Sequence, residues 1–361
     1  MTADFQWIRE PDALQARADA MAPEQPLFLD TEFMRERTFF PVLALVQVND
    51  GAGNYLVDPL DEGMPQALAG LLAGRRWVMH SCSEDLQALR RDCSVTPDWV
   101  ADTQVAAAFC GHDLQCGYQK MVKEVLGVDL PKDVTRSNWL QRPLSERQVD
   151  YAVQDVVHLP GLYQRLMDEL QRLERLDWWQ EDCQRLTADA LHEADPDTLW
   201  QQVKGAGRLD RPEARARLLA LAAWRDGCAR ARNLPRSFVI KDPELLQLAA
   251  EGARSAADLS RIGLHPSLLR RDGDALLELL ASAERAEAPA PLPGPPDAAE
   301  RAAVKRLRGK AAQIAAQLGV TPEIIARRRW LESMVRDPDT APSAMRGWRY
   351  ERVYQPLKEV L

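Results

Sequence analysis

The first 190 residues alternate between short apolar runs and amphipathic stretches. Strand patterns at 27–33, 42–48 and 54–57 are separated by short gaps that suit antiparallel hairpins. From Met64 onward the pattern is different, and it predicts a helix at 64–72, a strand at 76–80, a helix from about Glu84 and mainly helices to about Leu176. A strand meander followed by β–α alternation predicts an α/β fold, with a mixed sheet flanked by helices.

Only helical patterns follow after about Asp195. One cluster contains helices at 213–233, 242–250 and 255–262, and a second cluster extends from about Ala298 to the end. Between them lies a stretch rich in alanine and proline that is typical of a linker. The predicted domains are therefore an α/β domain at 1–195, a helical domain at 208–287, a Pro-rich linker at 288–297 and a second helical domain at 298–361.

Composition indicates a folded protein with several domains. The chain has 361 residues, of which 46% are hydrophobic and 28% charged, which excludes wholesale disorder. Its six cysteines include no C-x-x-C pair, so a disulfide scaffold is not expected and a reducing compartment fits. The start resembles no signal peptide and no apolar run is long enough to span a membrane, which predicts a soluble, cytoplasmic protein.

Positive charge is concentrated at the C-terminal end. The formal net charge is −8, yet residues 301–361 hold thirteen Lys and Arg against six Asp and Glu. Two segments there, 327–330 and 346–350, interleave arginine with aromatic residues, a mixture that suits phosphate contact and base stacking. A solvated helix face is the alternative. Further candidates for phosphate contact, or for simple solvation, are Arg35, Arg37, Lys120, Lys123 and Lys132.

Two acids at alternate positions mark the first strand. Asp30 and Glu32 point to the same face if residues 27–33 form a strand. Two neighbouring carboxylates in an apolar run repel each other and are costly to bury, and a multivalent cation removes that conflict. The alternative is that the pair marks only the end of a strand.

Two later segments carry comparable acids. Glu84 and Asp85 follow Ser83 at a predicted helix start, where acids are also favoured by the helix dipole alone. Tyr151 and Asp155 are four residues apart in a predicted helix, so both side chains can face one site. Taken alone, Tyr151 would more often be a packed core aromatic.

The order of these motifs is more specific than any one of them. The chain resembles the DEDD exonuclease superfamily, in the subclass with tyrosine in the third motif, and within it the ribonuclease D family. The resemblance covers nearly the whole chain and rests on 29–33 with 37–41, 80–86, 102–104 with 107–111, and 142–148. The two helical domains resemble the paired HRDC domains of that family, most visibly at 224–225, 230–232 and 238–240.

The resemblance implies a ribonuclease H-like core and a function. Asp30, Glu32, Asp85 and Asp155 would hold two divalent cations, and Tyr151 would orient the attacking water. Two such ions supply a hydroxide and stabilise the leaving 3′ oxygen in phosphodiester hydrolysis. Hard oxygen ligands without a His and Cys cluster select Mg²⁺ or Mn²⁺. The implied activity is 3′→5′ exoribonuclease hydrolysis that releases nucleoside 5′-monophosphates, acting on tRNA precursors with 3′ extensions.

Alternative functions remain open at this point. A P-loop is absent from the sequence, which excludes a motor driven by nucleoside triphosphates. An RNA-holding protein with an inactive core would have lost a metal carboxylate, and all four are present. A DNA exonuclease is not excluded by the site residues. His80, at a strand end near Asp85, has either a structural role or a place in the site.

Overall fold

The structure is a computed structural model that describes residues 4–22, 24–131 and 137–361. The chain divides into two compact units. The first contains Met1–Met34, Pro41–Leu191 and Pro296–Leu361, and the second contains Arg35–Phe40 and His192–Pro295.

A six-stranded sheet forms the centre of the first unit. Its strands are β1 (Gln6–Ile8), β2 (Leu27–Met34), β3 (Val42–Asn49), β4 (Asn54–Val57), β5 (Arg76–Met79) and β6 (Trp99–Asp102). Their order across the sheet is β1-β4-β3-β2-β5-β6. β3 pairs with β2 and β4 antiparallel, whereas β1–β4, β2–β5 and β5–β6 are parallel pairs. The predicted mixed sheet is therefore confirmed, with β1 and β6 as strands that the pattern did not predict.

Helices cover both faces of this sheet. Along the chain they are α1 (Pro11–Ala20), α2 (Met64–Leu72), α3 (Ser83–Asp92), α4 (Thr103–Phe109), α5 (Tyr118–Leu126), α6 (Glu146–Val157), α7 (Leu159–Arg172) and α8 (Leu176–Leu191). Alternate residues of the central strands face two layers. Val46 and Val48 join the core that includes α1, α2 and α3 residues, whereas Leu45 and Leu56 pack with α6.

The start of α6 is defined by local hydrogen bonds. Ser145 is its N-cap and forms a capping box with Gln148, as its S-x-x-Q spacing predicts. Just before it, the Arg142 guanidinium donates to the Asp58 carboxylate at 2.8 Å and to the Ala44 carbonyl at 2.6 Å. These contacts fix the position of α6 on the sheet.

The second unit is helical. Its helices are α9 (Pro212–Ala231), α10 (Arg236–Val239), α11 (Asp242–Glu251), α12 (Ala256–Arg261) and α13 (Pro266–Ala283). The Pro-rich segment begins within this unit and is anchored there. Arg215 Nε donates to the Pro289 carbonyl at 2.9 Å, and Leu292 packs against the unit's hydrophobic core. This part of the predicted linker is thus not a free tether.

The C-terminal helices belong to the same unit as the sheet. They are α14 (Ala298–Leu318), α15 (Pro322–Ile325), α16 (Arg328–Arg336) and α17 (Gln355–Lys358), with a π-helical turn at Tyr350–Tyr354. Arg349 is buried and forms two hydrogen bonds of 2.6 Å with Asp182 of α8. The main-chain N–H of Trp348 donates to the Glu181 carboxylate at 2.9 Å. The interpretation of Trp348 and Arg349 as nucleic-acid contacts was therefore wrong, because both side chains are used in packing within the chain.

None of the helices in the described ranges is both long enough and apolar enough to cross a membrane.

Candidate active site

Three carboxylates from distant parts of the sequence meet beside the sheet. Asp30 and Glu32 lie on β2 and Asp155 lies on α6, and each offers an oxygen within 4.8 Å of the others. The two β2 acids share a face because strand side chains alternate. Helix α6 brings Asp155 to that face. We call these three residues the carboxylate cluster.

Asp85 lies next to the cluster but outside the group of three. It is buried in the first turn of α3, and the hydroxyl of Thr31, between the two β2 acids, donates a hydrogen bond to its carboxylate. The charge of Asp85 raises the pKa of both Asp30 and Glu32, which indicates that it belongs to the same electrostatic environment.

Burial and mutual repulsion raise the pKa values of these acids. Burial is the larger cause for Glu32, and with the charges of Asp30 and Asp85 it raises the Glu32 pKa to about 9. Burial raises the pKa of Asp85 to about 7, although the Thr31 hydrogen bond opposes the change. Burial and then the charge of Asp155 raise the pKa of Asp30 well above its usual value. Such a site must either hold protons or bind a cation.

The donor set fits a hard divalent cation. The cluster offers carboxylate oxygens, and no His or Cys is a member of it. Carboxylate oxygens of this kind suit Mg²⁺ or Mn²⁺, whose positive charge offsets the mutual repulsion that contributes to the raised pKa values.

Asp102 holds the turn that leads to Asp85, and the sequence pattern did not single it out as a site residue. Its buried carboxylate accepts hydrogen bonds from the main-chain N–H groups of Ser81, Cys82, Gln104 and Val105, at 2.8–3.2 Å. The Asp102 carboxylate therefore caps α4 and, at the same time, holds the segment before α3. Only the capping role could have been predicted from the sequence, through an aspartate directly before a helical stretch.

Two tyrosines border the carboxylates. Tyr151 lies one helical turn before Asp155 on α6, with its ring centroid 6.0 Å from that of Trp139. Tyr118 begins α5, and the sequence pattern did not select it. Burial raises the pKa of Tyr118, and the charges of Asp155 and Asp30 raise it further, so its hydroxyl lies in the field of the cluster.

His80 is held in a structural position. Its Nδ1 lies 2.9 Å from the Thr103 hydroxyl and its Nε2 lies 2.9 Å from the Cys116 carbonyl oxygen. Burial lowers its pKa, which favours the neutral ring. With both ring nitrogens engaged by the protein, the structural alternative is the one that the geometry supports.

The lysines that precede α6 in the sequence form surface ion pairs. Lys120 contacts Asp113 at 2.5 Å and Lys123 contacts Asp129 at 2.6 Å. Both side chains are largely exposed, so these pairs are weak and do not prevent phosphate contact. Lys132 lies outside the described residues.

Comparison with known proteins identifies the family. Residues 5–171 match the profile of the 3'-5' exonuclease family, and residues 214–280 match that of the HRDC domain. A ribonuclease D of Pseudomonas paraeruginosa is 41% identical, over 99% of this chain and 98% of that protein. The chain belongs to the ribonuclease D family. A ribonuclease D of Xanthomonas oryzae is 38% identical, over 98% of each chain.

A solved structure agrees with this assignment. The crystal structure of Escherichia coli RNase D, described as an exoribonuclease involved in structured RNA processing, superposes with a TM-score of 0.90. It is 30% identical and covers 99% of this chain and 98% of that one. As a member of the ribonuclease D family, the protein is a hydrolytic 3′→5′ exoribonuclease that binds RNA. The expected α/β core with a helical C-terminal region is confirmed.

Proposed function

We propose that the protein trims the 3′ ends of tRNA precursors and releases nucleoside 5′-monophosphates. The observation that carries this proposal is the meeting of Asp30, Glu32 and Asp155 from β2 and α6, with Asp85 beside them. In this proposal, the four acids hold two divalent cations. We also propose that the chain belongs to the subclass of the DEDD exonuclease superfamily that has tyrosine in the third motif.

Each group of the chain has a separate task in this proposal. When bound, the cations supply a Lewis acid at the scissile phosphate and lower the pKa of water, so no side chain has to act as a strong base. The carboxylates bind the cations and lie on a strand and two helices of one packed unit. Tyr151, one turn before Asp155 on α6, orients the attacking water through its hydroxyl.

The helical parts select the substrate. We propose HRDC domains at 208–287 and 298–361 that bind the structured body of the RNA. The HRDC match at 214–280 supports the first, and the exposed Arg327, Arg328 and Arg329 support an RNA contact by the second. The proposed compartment is the cytoplasm, with which the six unpaired cysteines agree.

The test is incubation of the purified protein with a 3′-extended tRNA precursor and with single-stranded DNA. Each substrate is tested with Mg²⁺, with Mn²⁺ and with EDTA, and the ends of the products are identified. We expect cation-dependent shortening of the tRNA precursor from its 3′ end, with nucleoside 5′-monophosphates as products. Equal or faster degradation of the DNA would contradict the RNA assignment, and activity in EDTA would contradict the cation requirement. The Asp155→Asn variant is the matched control for contaminating nucleases.

A further inference from the structure

Gln47 is a polar side chain buried directly beside the carboxylate cluster. It lies on β3 with an exposed fraction of 0%, and its cross-strand partner on β2 is Asp30. Partners directly opposite in an antiparallel pair have Cβ atoms ~4.5–5.5 Å apart on the same face of the sheet. On its other side, Gln47 is opposite Leu56 of β4, which packs beneath α6.

The amide of Gln47 has no hydrogen-bond partner among the described residues. Neither Oε1 nor Nε2 forms a hydrogen bond, although both atoms are inaccessible to solvent. An amide buried without a partner costs roughly 1–3 kcal/mol by protein mutational data, so buried polar groups are nearly always paired. A leucine at this position would avoid that cost. The amide therefore requires an explanation that packing alone does not give.

The Asp30 carboxylate offers an explanation for the buried amide. The side-chain N–H₂ of Gln47 is a donor, and ionised Asp30 is an acceptor on the adjacent strand. A carboxylate that binds a cation is in its ionised form and keeps lone pairs that can accept this hydrogen bond. The indole N–H of Trp139, in the hydrophobic cluster that contains Leu56, is also unpaired among the described residues.

We propose that Gln47 is a positioning residue, whose amide donates a hydrogen bond to the Asp30 carboxylate and orients it toward the cation. Groups that hold the ligands of a metal contribute to its affinity, and their loss typically costs 10–100-fold in metal affinity or activity. This inference rests on the proposed cation site, but it concerns a residue that is not itself a ligand.

The experiment measures Mn²⁺ binding to full-length, metal-free protein by isothermal titration calorimetry, together with urea unfolding. Gln47→Leu keeps the side-chain volume roughly constant and removes the amide. We expect the Kd for Mn²⁺ to rise about tenfold. We expect no loss of stability in the metal-free state, because the variant removes an unpaired buried group.

Val48→Ala is the matched control. Val48 is also buried on β3, but it faces the opposite layer of the sheet, so its truncation loosens the strand without touching the Asp30 face. We expect Val48→Ala to lose stability and to keep its Mn²⁺ affinity. If Gln47→Leu binds Mn²⁺ within twofold of wild type, or if Val48→Ala weakens binding equally, the positioning role is wrong. If wild type itself binds no Mn²⁺, the proposed cation site fails instead.

Discussion

The indole rings of Trp178 and Trp348 stack face to face, with 4.6 Å between their centroids and 5° between their planes. Trp178 belongs to α8, which packs against the sheet, whereas Trp348 lies far along the chain in the C-terminal segment. Next to the stack, Arg349 pairs with Asp182 and also donates to the Ile324 carbonyl at 3.0 Å. The C-terminal helices are therefore fixed to the nuclease core by a mixed aromatic and ionic contact.

We predict that Arg349→Met destabilises the protein by about 3 kcal/mol. Removing one partner of a buried ion pair leaves the other charge unpaired, which typically costs ~3–5 kcal/mol. Asp182 keeps some solvent access, so the lower end applies. Urea unfolding measures the loss. Arg329→Met, at an exposed position, is the control and should change stability by at most ~0.5 kcal/mol. Equal stability of the two variants would show that the contact contributes little.

Asp30→Asn and Asp155→Asn should each abolish turnover with little loss of folding stability. Each change removes a proposed cation ligand and, at the same time, one of several mutually repelling carboxylates. Hydrolysis of a 3′-extended RNA and thermal melting are the two measurements. Glu84→Gln, one residue from Asp85 but exposed, should retain activity. The idea fails if the two ligand variants are unfolded, or if they keep activity within tenfold of wild type.

Tyr151→Phe should be milder than a ligand change. It keeps the ring beside Trp139 and removes only the hydroxyl, so we expect kcat to fall by ~10²–10⁴-fold, the scale of a positioned proton-transfer group. Steady-state kinetics at saturating cation measure it. Tyr163→Phe is the control, since that ring packs against Phe28 and Trp179. If Tyr151→Phe is as active as Tyr163→Phe, then Tyr151 is only a packing residue.

Local sequence periodicity was sufficient to predict which neighbouring residues share a face. It was not sufficient to predict which distant residues meet in the site. Alternation on a strand placed Asp30 and Glu32 on one face, and helical spacing placed Tyr151 near Asp155. Their meeting depends on how α6 lies on the sheet, which no local pattern contains. Asp102 was missed as a site residue for the same reason, because two of its four donors are about twenty residues earlier in the chain.

In the C-terminal segment, composition led to the wrong interpretation of Trp348 and Arg349 as nucleic-acid contacts. Arginine beside tryptophan suits RNA binding and internal packing equally well, and only the distant partners Asp182 and Trp178 distinguish the two. The strands β1 and β6 were also missed, and they have only three and four residues. The sequence alone therefore predicted the class of fold better than the contacts between its parts.

The stability of the metal-free protein should fall as pH rises. Folding raises the pKa of Glu32 to about 9 and that of Asp85 to about 7, so the native state binds more protons than the unfolded chain. This contribution is fully present below the ordinary carboxyl pKa, near 4.5 for Glu32, and is lost progressively up to about pH 9. Because cations bind the ionised form, the rise in Tm caused by Mg²⁺ should grow between pH 5 and pH 8.

Thermal melts in EDTA and in excess Mg²⁺ across this pH range measure both effects. Glu32→Gln is the control variant, since it removes one titrating group and should flatten the EDTA profile. A Tm in EDTA that rises steadily from pH 5 to pH 8, or a Mg²⁺ effect that shrinks with pH, would contradict the raised pKa values.

The exposed arginines that precede Trp330 should act through RNA binding. Deleting the whole C-terminal segment would uncover Trp178 and Asp182, so substitution of Arg327 and Arg329 by alanine is the cleaner test. If an arginine binds a phosphate, its removal should lower the slope of log affinity against log salt by ~0.7–0.9. We expect a higher KM for a 3′-extended tRNA with kcat nearly unchanged, because these residues lie outside the carboxylate cluster. A short single-stranded RNA should be degraded as fast as by wild type. An unchanged KM and salt slope on tRNA would assign these arginines to solvation alone.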